Sequence, residues 1–176
     1  KKLVKKIAEI ISSKSSYLGV PLIVQRLAEV YKDKIDENFE HEIENLDISS
    51  IYEKIVENFF SKFKKWCLEN NPNLIEKMTM SPLQIHQFLA ICLFFSEEFA
   101  NSLGLNHDED EWTNEEIARC GLIKYDKFGK FHFNHQTNAE NFIAGYTFHL
   151  LKNVKKLSAV NLDFIFQVLK SEKFKI

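Results

Sequence analysis

Glycine and proline are scarce in this chain, five and three among 176 residues. That leaves few sites for tight turns and argues for a mainly α fold. Cysteine is scarce too, and odd in number. Cys67, Cys92 and Cys120 lie far apart with no C-x-x-C spacing, which argues against a zinc site or a disulfide framework. Cys67 and Cys92 fall in apolar helical patterns, as the buried, reduced thiols of an intracellular protein do. An excess of charge of one sign is missing as well. A net charge of −2 sets up no whole-molecule field for nucleic acid or an anionic membrane. The longest apolar run, Phe88 to Phe95, is far too short to span a bilayer. Lys1 to Ser13 lacks the continuous apolar stretch and cleavage site of a secretory signal. The expectation is a cytoplasmic protein with no membrane partner. The chain starts without Met, as a segment of a longer protein would.

Apolar side chains are what the chain has in quantity. Hydrophobic residues make up 45%, and 16 residues are Phe, enough for a packed core. The length suits one ordinary domain or two small subdomains. Leu3, Val4, Ile7, Ile10 and Ile11 recur at helical spacing. Gly19-Val20-Pro21-Leu22 opens a second helix, with Pro21 at its first position, where no N–H is needed. Leu22, Ile23, Leu27, Ala28, Val30 and Tyr31 form its stripe. Asp33 to Asp47 is acidic and poor in large apolar groups, and reads as a surface connection between subdomains.

A third helix is expected after Ser50, which forms a capping-box pattern with Glu53. Its stripe is Ile51, Ile55, Phe59, Phe60, Phe63 and Trp66, and Asn70-Asn71-Pro72-Asn73 ends it. Ser81-Pro82 opens a fourth as N-cap and first residue. That helix is apolar nearly all round and therefore central. Thr113 and Glu116 box a short helix that stops at Gly121. Leu122 to Tyr125 and Lys130 to Phe133 alternate at a period of two around Asp126-Lys127-Phe128-Gly129, the one convincing hairpin pattern. Thr137 and Glu140 then box a helix with the stripe Ala139, Phe142, Ile143, Tyr146, Leu150 and Leu151. A final apolar helix covers roughly Leu162 to Leu169.

Catalytic arrangements are missing. No G-x-x-x-x-G-K-S/T stretch occurs, no apolar strand ends in paired carboxylates, and no Ser lies in a G-x-S-x-G context. The segment is not expected to be an enzyme. His107-Asp108-Glu109-Asp110-Glu111 lacks the spacing and Gly of a calcium loop and reads as a solvated acidic loop. His86, on the apolar fourth helix, reads as a core or subdomain-interface histidine. His132 alternates with Phe131 and Phe133, so it faces the other side of the hairpin and is expected to be solvated. His135 is the interesting one. If Thr137 caps the next helix, His135 stands two residues outside it, near the positive end of the dipole. A protonated imidazole is disfavoured there unless an anion offsets the charge, and a neutral ring can donate one N–H to a phosphate oxygen. The residues alone favour a histidine hydrogen-bonded between hairpin and helix over a ligand.

Phe133, His135, Ala139, Glu140, Phe142, Ile143 and Ala144, preceded by Gly121-Leu122-Ile123 and Gly129, resemble the F-x-H…E-x-F-x-A signature that closes the winged-helix domain of NACHT-type STAND ATPases (NLR-like). The form is similar to that of arthropod NACHT proteins. Asn134, Gln136 and Asn138 depart from it, standing where an apolar residue, Arg or Leu, and Phe are usual. Leu18-Gly19-Val20-Pro21-Leu22, followed by Leu27-Ala28-Glu29, looks like the G-x-P-L motif of the small helical domain that follows the nucleotide-binding core. The resemblance covers roughly Lys2 to Lys152. It implies a helical subdomain followed by a winged-helix domain with one β-hairpin, the wing. It divides the chain into part of the small helical domain (1–46), the winged-helix domain (47–152) and the start of a following helical region (153–176). It assigns His135 to the β-phosphate of bound ADP and Pro21 to the adenine. The P-loop core of the same protein would lie upstream. ADP or ATP would be the cofactor, bound jointly with that core. The segment would be a regulatory lid controlling nucleotide-dependent switching and homo-oligomerisation in innate-immunity signalling. Two other readings stand beside it. One is a helical protein-interaction domain. The other is a winged-helix nucleic-acid binder, with Lys124, Lys127 and Lys130 on the wing. Asn114, Glu115 and Glu116, with only Arg119 basic, make a poor recognition surface for that second role.

Overall fold

A computed structural model describes residues 4–5, 7–9, 21–32, 48–77, 80–106, 113–153, 155 and 157–171. It is mainly helical, with one two-stranded antiparallel sheet. The chain divides into two compact units, Lys1–Lys62 and Phe63–Ile176. The acidic stretch 33–47, the acidic loop 107–111 and Gly19 lie outside the described residues.

In the first unit, residues 4–5 and 7–9 are helical and Ile7 is fully buried. Helix α1, Pro21–Tyr31, begins on Pro21 as the missing N–H predicts. The Pro21, Leu22 and Ile23 side chains fall outside the description, while Val24, Leu27, Ala28 and Tyr31 are buried. Helix α2, Ile48–Asn70, passes from this unit into the next. It starts earlier than the Ser50 box predicts, so Ser50 sits inside the helix. Within the first unit Ile55 is buried, Lys54 lies over the Tyr31 ring and Lys62 pairs with Glu29 at 3.6 Å.

In the second unit α2 ends at Asn70, and Pro72 opens a short helix α3, Pro72–Lys77. The Asn-Pro-Asn stretch is thus a joint between two helices, since proline suits a first turn as well as a break. Helix α4, Pro82–Phe94, has the expected N-cap Ser81, and Gln84 completes a capping box: the Ser81 hydroxyl accepts from Gln84 N–H at 3.3 Å, and Ser81 N–H donates to Gln84 Oε1 at 2.9 Å. Ile85 through Ile91 are all buried, as its all-round apolar pattern requires. Ser96 caps a further short helix, α5, Glu97–Ser102. Helix α6, Asn114–Arg119, carries the Thr113–Glu116 box. It stops where Gly121 turns to φ 77, a conformation that favours glycine.

Strands β1, Ile123–Tyr125, and β2, Phe131–Phe133, pair with Ile123 opposite Phe133 and Tyr125 opposite Phe131. Those pairs share one face; Lys124 and His132 share the other. Asp126 builds the turn, its Oδ1 accepting from the N–H groups of Phe128 and Lys130 at 2.8 and 3.0 Å. Those bonds hold its carboxyl below the usual carboxylate range. His132 is half-exposed with Nε2 3.4 Å from Asp126 Oδ2. His132 thus lies on the face away from Phe131 and Phe133, as the alternation predicts, and has the turn carboxylate beside it.

Helix α7, Gln136–Lys152, lies on α4 and buries Ala139, Phe142, Ile143, Tyr146, Thr147 and Leu150. Leu151, expected in the stripe, is exposed. Helix α8, Ala159–Lys170, starts earlier than the sequence pattern suggests, because Ser158 caps it. Phe164 packs against Phe95, Phe99 and Tyr146, with ring centres 5.6, 6.2 and 5.6 Å away.

His86 is the fully buried imidazole of this core. Its Nδ1–H donates to the Pro82 carbonyl at 2.6 Å, and its ring lies 5.3 Å from Phe142 and 6.5 Å from Phe133. Burial pushes its pKa from 6.5 down to about 4, against a smaller upward pull from the Pro82 carbonyl. Between those two values the unfolded chain takes up a proton that the folded chain refuses. Stability is therefore full above pH 6.5 and falls as pH drops toward 4. At about 1.4 kcal/mol per pH unit below 6.5, this one group removes about 2 kcal/mol between pH 7 and pH 5. Urea unfolding of wild type at the two pH values is expected to show that loss, and His86→Leu to show a loss smaller by about that amount. Parallel profiles would contradict a buried neutral imidazole.

Candidate functional site

The site is the junction between β2 and α7. Only Asn134 and His135 separate the last strand residue from the first helical one. Phe133, at the end of β2, is buried against Phe142, its ring centre 6.0 Å away. Asn134 is fixed twice. Its N–H donates to the Leu122 carbonyl at 2.9 Å, and its Nδ2–H donates to the Gly121 carbonyl at 2.8 Å. The turn after α6 is thereby stapled to the entry of α7.

His135 itself is the N-cap of α7, with φ −142° and ψ 135°. Its carbonyl accepts from Asn138 N–H at 3.0 Å, while its side chain makes no capping bond and is exposed. This corrects the expected geometry. Thr137 lies inside the first turn, not at the cap, and Glu140 is engaged by the Gln136 side chain at 2.7 Å. The imidazole is therefore two residues closer to the helix than the Thr137 box implies. The first N–H groups of a helix have no intrahelical acceptor, so Gln136 and Thr137 present donors at the helix end that His135 caps. The end of α7 carries a partial positive charge. An imidazole and the main-chain donors of the first turn thus belong to the same helix end, chemistry suited to an anion's oxygens.

Pro21 occupies the first position of α1 in the other unit. His86 belongs to the floor beneath the junction, through Phe133 and Phe142. Among the described residues no three His, Cys, Asp or Glu side chains gather as a metal site, and no helix is long and apolar enough to cross a membrane. Burial raises the thiol pKa of Cys67 and Cys120 and pushes Cys92 up to about 12, so none is a nucleophile at neutral pH. On α6, Arg119 is held by Glu115 and lies over the Trp66 ring, 4.5 Å from its centre.

No protein-family model, curated protein or solved structure matches this chain.

Asn134 is the site residue that sequence reasoning missed. The signal was its type: Asn between a strand and a helix offers both a donor and an acceptor to neighbouring backbone. Asn134→Ala is expected to lower the unfolding free energy by about 1 kcal/mol. It should also shift the His135 ring resonances while leaving those of His86 in place. Unmoved His135 resonances would show that the clamp does not position the imidazole.

Proposed function

We propose that this chain comprises the small helical domain and the winged-helix domain of a NACHT-type signalling ATPase, acting as a regulatory lid over bound ADP. The observation that carries the reading is His135 at the cap of α7: exposed, without a capping bond, beside the main-chain donors of the first turn. The order α2, α4, α6, β1–β2, α7 supports a winged-helix domain, with the hairpin as its wing. In this reading the ADP β-phosphate takes an N–H from His135 and lies at the positive end of α7. Pro21, opening α1, packs on the adenine. The phosphate loop and the magnesium carboxylates come from an upstream core of the same protein, so this segment holds the nucleotide without hydrolysing it.

The lid is a two-state element. ADP stabilises the closed state through His135 and Pro21, and exchange of the nucleotide releases the segment and allows homo-oligomerisation in the cytoplasm. A winged-helix nucleic-acid binder has less support. Arg119 is already occupied by Glu115 and Trp66, and Asn114, Glu115 and Glu116 offer a polyanion nothing on that helix.

A hydrogen bond to a charged phosphate contributes about 1.5–3 kcal/mol. His135→Ala in the full-length protein is therefore expected to weaken ADP retention by a factor of about ten or more and to favour assembly without stimulus. Unchanged ADP occupancy in a mutant that stays monomeric would refute the proposal.

A further inference from the structure

Helix α8 buries one side and leaves a second apolar stripe open. Phe164, Ile165 and Val168 face the core, whereas Leu162, Phe166 and Leu169 are 44%, 56% and 64% exposed. At about 100° per residue, those three lie within an arc of about 60°. That is a helical seam, not a scatter of single apolar residues. The charges beside it are ordered. Asp163 and Lys170, both exposed, flank the same edge of the stripe, seven residues or about 10 Å apart along the axis.

This pattern is self-complementary under one operation. A two-fold axis near Phe166, perpendicular to the plane of two side-by-side copies of α8, runs them antiparallel and keeps like edges on the same side. Phe166 then meets Phe166 of the second copy. Leu162 meets Leu169, and Asp163 faces Lys170 at both ends of the seam. A parallel two-fold pairing would instead place the edge that carries Asp163 and Lys170 on opposite sides of the seam in the two copies, so that neither charge meets its counterpart across it. We infer that the exposed stripe of α8 is a self-association surface whose partner is the α8 stripe of a second copy, antiparallel, with Asp163 and Lys170 selecting the register. Three apolar side chains per copy form a small contact beside the roughly 1,200 Å² of a stable interface. The dimer is accordingly weak and forms where local concentration is high. This surface is independent of the nucleotide reading, because it needs neither His135 nor Pro21.

Sedimentation equilibrium of the 176-residue chain over a concentration series up to about 1 mM tests the inference. Wild type is expected to form a concentration-dependent dimer, and Phe166→Glu to weaken it by a factor of about ten or more. Asp163→Lys and Lys170→Asp should each weaken it several-fold, and the double variant should recover the wild-type constant, because the swap restores both cross-pairs. A wild-type monomer throughout the series overturns the proposal. So does association that survives Phe166→Glu, or a double variant no better than the singles. Concentration-dependent amide shifts in wild type give a readout that needs no variant. They should centre on Leu162, Phe166 and Leu169, and shifts confined to any other surface overturn it as well.

Discussion

An imidazole inside an apolar core is tolerable only if its N–H is satisfied and its ring is packed. His86 meets the first condition within its own helix, through the Pro82 carbonyl, and the second through Phe142 on α7 and Phe133 on β2. Three elements therefore meet on one ring. Phe133 is the last residue of its strand and Phe142 lies two turns into its helix, so the contact fixes where the hairpin ends and how α7 leaves it. Phe133 also stands opposite Ile123 in the sheet, itself buried, which ties β1 into the same cluster. The second unit depends on this packing: without it, the two-residue junction would have no fixed starting point.

The position of His135 follows. With Phe133 anchored, two residues must take the chain from extended to helical backbone. Asn134 does so by binding both Gly121 and Leu122. His135 is left as the cap, its side chain exposed and without a capping bond. A junction so braced is suited to move as a body with α7. The proposed lid would thus swing about its ends and keep the local arrangement of imidazole and main-chain donors, as rigid-body switches do. In energetic terms, the charge on a bound phosphate would tip a balance that the apolar core leaves undecided.

Local chemistry made part of this legible from the residues. The Ser81 and Thr113 caps are written in four-residue patterns whose bonds close within the pattern, so both were readable. The hairpin was readable for a similar reason: alternation sets its faces, and Asp126 with Gly129 sets its turn. The starts of α2 and α7 were not. Ser50 with Glu53, and Thr137 with Glu140, have the right spacing. Yet α7 begins earlier because Asn134 and the buried Phe133 fix the chain's entry, and Gln136 takes Glu140 instead. A cap pattern states a local preference, and tertiary anchoring can override it. Leu151 shows the same limit at the other end, since helical spacing names a face without saying how far the neighbouring elements reach to cover it. For the site, the type and place of His135 could be read, but its support by Asn134 depends on a contact thirteen residues away, beyond any local pattern.

The most direct test of the central claim is amide hydrogen exchange at the start of α7 in the full-length protein, with ADP bound and with nucleotide removed. If the lid holds the phosphate through this junction, the Gln136 and Thr137 amides become protected when ADP is present and exchange rapidly when it is absent. Equal exchange at these two amides in both states, with ADP demonstrably bound elsewhere in the protein, would contradict the account.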